Sequence, residues 1–130
     1  MNLANISMRG QVGTGGNIMI AGFTITGTTA KTVLIRASGP ALTPFGVSGV
    51  LPDPALQVFS GSTVVAANTG WAGDPLLMSA AASVGAFSWG SSGTPDSAVL
   101  VTLPPGDYTA EVSGASGDTG VALVEVYALP

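Results

Sequence analysis

Apolar and polar residues alternate through most of this chain, as they do in β-strands that bury only one face. The alternation is clear in the opening segment NLANISMRG, where Ala4, Ile6 and Met8 fall on one side and polar residues on the other. This segment therefore predicts a half-buried strand near the start of the chain. Its partner could be another strand of the same chain or a strand of a neighbouring copy.

Seven further segments predict strands because they are rich in β-branched and aromatic residues and are bounded by Gly, Pro or Asp. They are NIMIAGFTITG, KTVLIRASG, ALQVFS, TVVAAN, DSAVLVTL, DYTAEVSG and GVALVEVYALP. One segment, DPLLMSAAASVGAF, predicts a helix, with Asp74 as its N-cap and Pro75 in its first turn. About eight short strands with one short helix near 75–84 predict an all-β fold, a jelly-roll-like β-sandwich.

The composition is apolar and poor in charge. Charged residues make up 8% of the 130 residues, against roughly 25% in an ordinary soluble domain. The length fits a single domain over residues 1–130. A surface with so few charges predicts contact between subunits, over an interface at or above roughly 1,600 Å² in total.

Several functions are disfavoured by the composition. The only cations are Arg9, Lys31 and Arg36, so a nucleic-acid partner is not expected. Gly, Ser and Thr interrupt the apolar runs, so no membrane span is expected. The chain has no histidine and no cysteine, and its acids form no metal-ligand cluster in sequence. We therefore predict a protein that is not an enzyme and that has no cofactor.

Two kinds of binding site remain open. A calcium ion could be held by Asp53, Asn68 or Asp118 with backbone carbonyls, although acids in turns usually bond to the local backbone. Trp71 and Trp89 flank the predicted helix and could form a platform for glycans, or they could cap the core. The residue pattern favours the cap but leaves glycans open as partners.

Arg36 is the charge whose position is most unusual, because it lies in the apolar segment VLIRASG. A buried guanidinium needs an acidic partner, and Asp53 in the LPDP turn is the predicted one. Alternatively, Arg36 lies along the sheet surface with its charged end in water. Glu111 and Glu125 each lie in an alternating strand and are predicted to face solvent.

Two long segments carry a resemblance to a known kind of domain. They are LANISMRGQVGTGG…IAGFTITG…KTVLIRASGPALTPFGVSGVLPDPALQVF and AAASVGAF…DSAVLVTLPPGDYTAEVSGASGDTGVALVEVY. Together they resemble a domain that is repeated in large secreted bacterial proteins.

The second half is more weakly similar to bacterial β-sandwiches of the pre-peptidase C-terminal type, in which a DP-x-L-x-V strand and an LPPGDYT hairpin recur. Those sandwiches often carry more acids near the position of AANTGW, whereas this chain has none between Asp53 and Asp74. The resemblance implies an extracellular β-sandwich, and it brings no catalytic residues with it.

These observations favour a structural subunit of an extracellular or cell-surface bacterial filament, with copies of the same chain as partners. Residues 1–9 are the predicted assembly strand, which would pair with the adjacent subunit by β-strand addition. Its apolar contacts would come from Leu3, Ala4, Ile6 and Met8. The alternative for the strand is that it completes the sandwich of its own chain. The alternative for the function is a non-catalytic binding or spacer module of a larger exported protein.

Overall fold

The computed structural model describes residues 5–90 and 93–130, which form two antiparallel sheets packed face to face. The eight strands are β1 (Asn5–Val12), β2 (Met19–Ile25), β3 (Lys31–Ser38), β4 (Pro54–Ser60), β5 (Thr63–Asn68), β6 (Ser97–Leu103), β7 (Gly106–Gly114) and β8 (Gly120–Ala128). The α-helix α1 spans Pro75–Ser83, and short 3₁₀ helices span Gly15–Asn17 and Pro40–Phe45.

The order of the strands is that of a jelly roll. The first sheet runs β1-β8-β3-β6 and the second runs β2-β7-β4-β5. The chain crosses from one sheet to the other at every connection except the β4–β5 hairpin, and each sheet contains strands distant in sequence. The predicted all-β sandwich, with its jelly-roll arrangement and its single short α-helix, is confirmed for the described residues.

The main core lies between the two sheets and follows the period of two that the sequence shows. In β2, Met19, Ala21, Phe23 and Ile25 are buried, while the residues between them are exposed. Phe23 stacks on Tyr108 of the neighbouring strand β7, with ring centroids 5.6 Å apart. In β2, the alternation in the sequence therefore identifies correctly which residues point into the core.

A second apolar cluster covers the outer face of the first sheet. It consists of Ala80 and Ala81 of α1 and the residues packed beneath them, which are Leu34, Trp71, Ala98 and Tyr127. The helix begins as the sequence predicts, since the Asp74 carboxylate accepts a hydrogen bond from the Leu76 amide at 2.9 Å. Because α1 and its flanking loops cover this face, β3 is buried on both sides from Val33 to Ser38.

Buried Asp96 fixes the loops around this cluster. One carboxylate oxygen accepts hydrogen bonds from the amides of Gly39 and Ala41, at 2.7 and 3.1 Å. The other accepts the Thr94 hydroxyl at 2.6 Å, and the Thr94 oxygen in turn accepts the indole N–H of Trp71. The charge is thus fully hydrogen-bonded, and Trp71 is held in one orientation.

No helix among the described residues is long and apolar enough to cross a membrane.

Candidate functional site

The predicted assembly strand lies at an edge of the first sheet. In this structure β1 pairs along its whole length with β8 of the same chain. Ile6 lies opposite Val126 and Met8 opposite Val124, and both valines belong to the main core. Residues opposite each other on antiparallel strands point to the same face, so Ile6 and Met8 point towards the interior. They nevertheless remain 40% and 38% exposed, because β1 has a neighbouring strand on one side only.

Two of the predicted assembly residues, Leu3 and Ala4, lie outside the described residues. For Ile6 and Met8, the predicted apolar face of the strand is present and points inward. Within the single chain, β1 completes its own sandwich. Pairing of residues 3–9 with an adjacent copy stays a prediction.

A compact glycine-containing loop, residues 13–18, joins β1 to β2. It is closed by hydrogen bonds from the Gly13 amide to the Asn17 carbonyl at 2.8 Å and from the Asn17 amide to the Thr14 carbonyl at 3.0 Å. Gly15 has a φ of 60°, a left-handed conformation that favours glycine. For β1 to leave its sheet, this loop would have to change shape.

The four edge strands are almost uncharged. The edges are β1 and β6 in the first sheet and β2 and β5 in the second. Arg9 is the only charged residue in these four strands, and none of them contains proline. Proteins usually protect sheet edges with lysine, proline or a bulge, and here the β4–β5 ladder has a bulge between Val58 and Phe59. Apart from Arg9 on β1, the other three edge strands carry neither the charge nor the proline that hinders pairing with another strand.

Arg36 lies at the centre of a buried polar site on the outer face of the first sheet. Arg36 on β3 lies directly opposite Glu125 on β8. Its Nε and Nη2 atoms donate to Oε1 of Glu125 at 3.1 and 3.0 Å, and its Nη1 donates to the carbonyl of Phe87 at 2.8 Å. Arg36 is 2% exposed and Glu125 is 5% exposed. The pair is therefore desolvated and strongly coupled.

Two aromatic rings enclose the guanidinium. Its central carbon lies 4.5 Å from the ring centroid of Phe87 and 4.4 Å from that of Trp89. Trp89 is held by a hydrogen bond from its indole N–H to the Ser38 hydroxyl at 2.9 Å. These rings exclude water and add cation–π attraction, so the charge is stabilised without solvent.

Tyr127 completes the site. Its hydroxyl donates to the second carboxylate oxygen of Glu125. Burial raises the pKa of the Tyr127 hydroxyl well above its usual range, and the hydrogen bond to Glu125 and the negative charge there raise it further, while Arg36 opposes the shift. Tyr127 therefore acts as a neutral donor that satisfies the oxygen Arg36 does not reach.

The prediction of Asp53 as the partner of Arg36 is wrong, and so is the prediction that Glu125 faces solvent. Glu125 is the partner because strand pairing places it opposite Arg36 and α1 covers that face. Asp53 lies elsewhere, where its amide donates to Asp118 and its carbonyl accepts from Ala115. A buried, paired arginine was nevertheless the correct expectation.

Glu111, the other acid predicted to face solvent, lies on β7 opposite exposed Ile20 and is half-buried.

The candidate calcium ligands do not converge in the described part of the chain. Both carboxylate oxygens of Asp118 accept backbone amides, from Ser116 at 3.1 Å and Asp53 at 2.9 Å. The Asn68 side chain bonds to the carbonyl of Gly70 and the amide of Ala98. No group of three potential metal-binding side chains is found among residues 5–90 and 93–130. These residues hold turns together.

The two tryptophans lie in the second apolar cluster. Trp71 is 3% exposed and meets Trp89 edge to face, with ring centroids 5.4 Å apart. Trp71 is therefore a core residue, as the favoured interpretation of the sequence has it, and it offers no flat exposed surface to a sugar.

The sequence missed Glu125, Phe87 and Tyr127 as members of the arginine site. Phe87 is in a loop, and no local pattern places it over Arg36. Glu125 carried one usable signal, since it is an acid in the middle of a strand whose neighbours are all apolar, as Arg36 is in its own strand. Two such isolated opposite charges in central strands indicate a cross-strand pair.

The comparisons with known proteins bear on the fold. The sequence matches no family model and no curated protein. Among solved structures, the chain is similar to the pre-peptidase C-terminal domain of a collagenase from Bacillus anthracis. The TM-score is 0.55 at 14% sequence identity, over 94% of this chain and 88% of that one. At this identity the likeness concerns the fold alone, and it agrees with the weaker of the two resemblances.

Proposed function

We propose that this protein is a non-catalytic structural subunit of an extracellular bacterial filament, and that copies are joined by exchange of β1. In the exchanged form, β1 of one copy pairs with β8 of the next, in the place that the copy's own β1 occupies in the structure. The observation that carries the proposal is the state of β1: an edge strand whose inward-pointing Ile6 and Met8 stay about two-fifths exposed.

Exchange of β1 changes the free energy little, because the hydrogen bonds that open within one chain form again between two chains. The β1–β8 ladder from Asn5 to Val12 has the same residues on both sides whether it forms within a chain or between chains. Exchange of an identical element is for this reason a low-cost route to association. The free energy difference between the single chain and the exchanged assembly is then set by strain in the loop and by any new contact between neighbouring sandwiches.

The short loop forces neighbouring bodies together. Residues 13–18 separate β1 from β2, and six residues reach about 20 Å when fully extended. Two sandwiches linked in this way must touch, and the open edge beside Ile6 and Met8 is where they meet. Covering the remaining exposed area of each side chain contributes about 1 kcal/mol.

The chain's neutral surface supports repeated contact of this kind. It carries ten charged residues in 130, three basic and seven acidic. Charge repulsion between copies is consequently weak, and the uncharged edges lack the usual barriers to strand pairing. When a head-to-tail contact does not close on itself, it gives an open fibre.

A disulfide between β1 and β8 tests the proposal directly, because the natural chain has no cysteine. Gln11 and Val121 lie opposite each other on the two strands. The double variant Gln11→Cys/Val121→Cys, oxidised as a dilute monomer, locks β1 in its own sheet. Thr24→Cys/Asp107→Cys, which links the facing edge strand β2 to β7, is the matched control.

We expect the locked β1 variant to stay monomeric in electron microscopy and light scattering, and to assemble after reduction. The control should form fibres while oxidised. If the β1 variant is assembled first and oxidised afterwards, gels without reductant should show a ladder of covalent multimers. Fibres from the locked monomer, or only monomers after late oxidation, would show that β1 is not exchanged.

A second candidate function is a binding or spacer module of a larger exported protein. The observation that favours it is the similarity in fold to a domain of a bacterial collagenase. A chain that stays monomeric at high concentration, with or without the disulfide, would support this candidate over the filament.

A further inference from the structure

A cavity of about 130 Å³ opens beside the arginine site, between α1 and the outer face of the first sheet. Trp71, Trp89 and Leu77 form much of its wall, together with four alanines and Met78. Its size is close to that of a cavity that admits one benzene ring. The space therefore suits a single ring or a branched aliphatic group.

The polar groups of the cavity are hydrogen-bond donors. Among the described lining residues, the polar side chains other than the two indoles are Arg36 and Ser88. A guanidinium carries five N–H groups, and three of those of Arg36 are used by Glu125 and Phe87, which leaves two without a partner in the described part of the chain. The Ser88 oxygen accepts the Gly90 amide, and its O–H has no acceptor among the residues that the structure describes. A ligand that fits must supply an acceptor.

The charge of the site selects a neutral acceptor. Arg36 is already neutralised by Glu125 at 3.0 Å, so the cavity has no net positive charge to offer. A carboxylate entering it would lose its hydration and would also lie near the charge of Glu125. The oxygen of an amide, a ketone or an alcohol carries no such cost.

We propose that this cavity is a binding site for a small neutral compound of about one ring, with one oxygen acceptor directed at Arg36 and Ser88. The site is separate from β1, and it does not depend on assembly. Apolar walls with a few convergent polar groups are the usual composition of small-molecule sites.

The two tryptophans make the test direct, because both tryptophans of the chain line the cavity. The probes are benzamide and benzoate, which have nearly the same size and differ in charge. Each is titrated into the full chain, with tryptophan fluorescence and amide chemical shifts as readouts. We expect saturable binding of benzamide, with shifts at Ser88 and Gly90, and affinity for benzoate weaker by about tenfold.

Two variants on α1 locate the site. Ala82 is exposed and lines the cavity, so Ala82→Phe should fill it and weaken benzamide binding by about tenfold or more. Ser79 is exposed on the same helix and is not among the lining residues, so Ser79→Phe should change the affinity by less than about twofold.

Three results would overturn the proposal. They are a fluorescence change that does not saturate, equal weakening by the two variants, and benzoate bound as well as benzamide. If Ala82→Phe does not fold, the wild-type chemical shifts decide alone, and shifts centred away from Ser88 and Gly90 count against the site.

Discussion

At the scale of the residue, the arginine site stabilises the outer layer only as long as all its members are present. Arg36 and Tyr127 together bond both carboxylate oxygens of Glu125, and Phe87 and Trp89 lie against the guanidinium. Removing one ion from such a pair leaves the other buried without compensation. Replacing one of the two charged residues should therefore destabilise the protein, whereas replacing both together should cost much less.

We predict that Glu125→Leu lowers the free energy of unfolding by about 3–5 kcal/mol, because it leaves the guanidinium unpaired and the Tyr127 hydroxyl without an acceptor. Adding Arg36→Met to that variant should restore at least half of the loss. Urea unfolding of the single and double variants measures both changes. A double variant as unstable as the sum of its single variants would show that the two charges are not coupled.

The raised pKa of Tyr127 leads us to expect a loss of stability at alkaline pH. Its pKa is raised by burial and by Glu125, whereas in the unfolded chain it has the ordinary value of about 10. Between these two values the unfolded state loses a proton that the folded state keeps, so stability is complete below about pH 10 and falls as the pH rises above it. Comparing urea midpoints at about pH 9 and pH 11 measures this loss.

The variant Tyr127→Phe is the control for that measurement. It should lose less stability between the two pH values than the natural chain, although it starts lower because Glu125 loses a hydrogen bond. An equal loss in both proteins would assign the alkaline sensitivity to other groups.

At the scale of the element, the strands follow from the sequence and their pairing does not. TVVAAN became β5 without change of bounds, and the helix begins at Pro75 as its cap predicts. These elements are fixed by alternation and by local capping, which are visible over a few residues. The choice of Glu125 over Asp53 depends on β8 lying between β1 and β3, a long-range arrangement that no local pattern contains.

The loop between β1 and β2 should control exchange. Deleting Gly15 and Gly16 removes the turn that brings the chain back from Val12 to Met19, so β1 reaches its own sheet only under strain. We expect this deletion to shift the protein towards oligomers at a concentration where the natural chain is monomeric. Size-exclusion chromatography with light scattering measures the shift.

Inserting a Gly-Ser pair at the same place is the matched change. It gives β1 more freedom to return to its own sheet, and it should lower the oligomer fraction or leave it unchanged. An insertion that promotes oligomers as strongly as the deletion would contradict control by loop strain.

At the scale of the whole molecule, the composition indicated what kind of surface to expect but not where its sites lie. Ten charges in 130 residues predicted neutral surfaces. The cavity under α1 could not be predicted, because its walls come from α1, the loops on both sides of it and two strands of the first sheet. Ile6 was recognisable as apolar, but its 40% exposure depends on β1 being an edge strand.

A chain that lacks residues 1–12 is expected to stop the growth of fibres. Such a chain has no β1 to donate, yet its β8 edge is free to accept β1 from another copy. If copies assemble by exchange of β1, each truncated chain stops growth at one end of a fibre. Adding it to the full chain in increasing proportion should shorten fibres in electron micrographs in step with its fraction, without lowering the total assembled mass.

The same truncated chain separates exchange from simple surface contact. A peptide of residues 1–12 should fill its β8 edge, raise its thermal midpoint and abolish its ability to stop growth, since the β1–β8 ladder is then complete. A peptide with Ile6→Asp and Met8→Asp, which places two charges on the inward face, should have none of these three effects. Fibres that grow to full length in the presence of the truncated chain would mean that they are built through other faces of the sandwich.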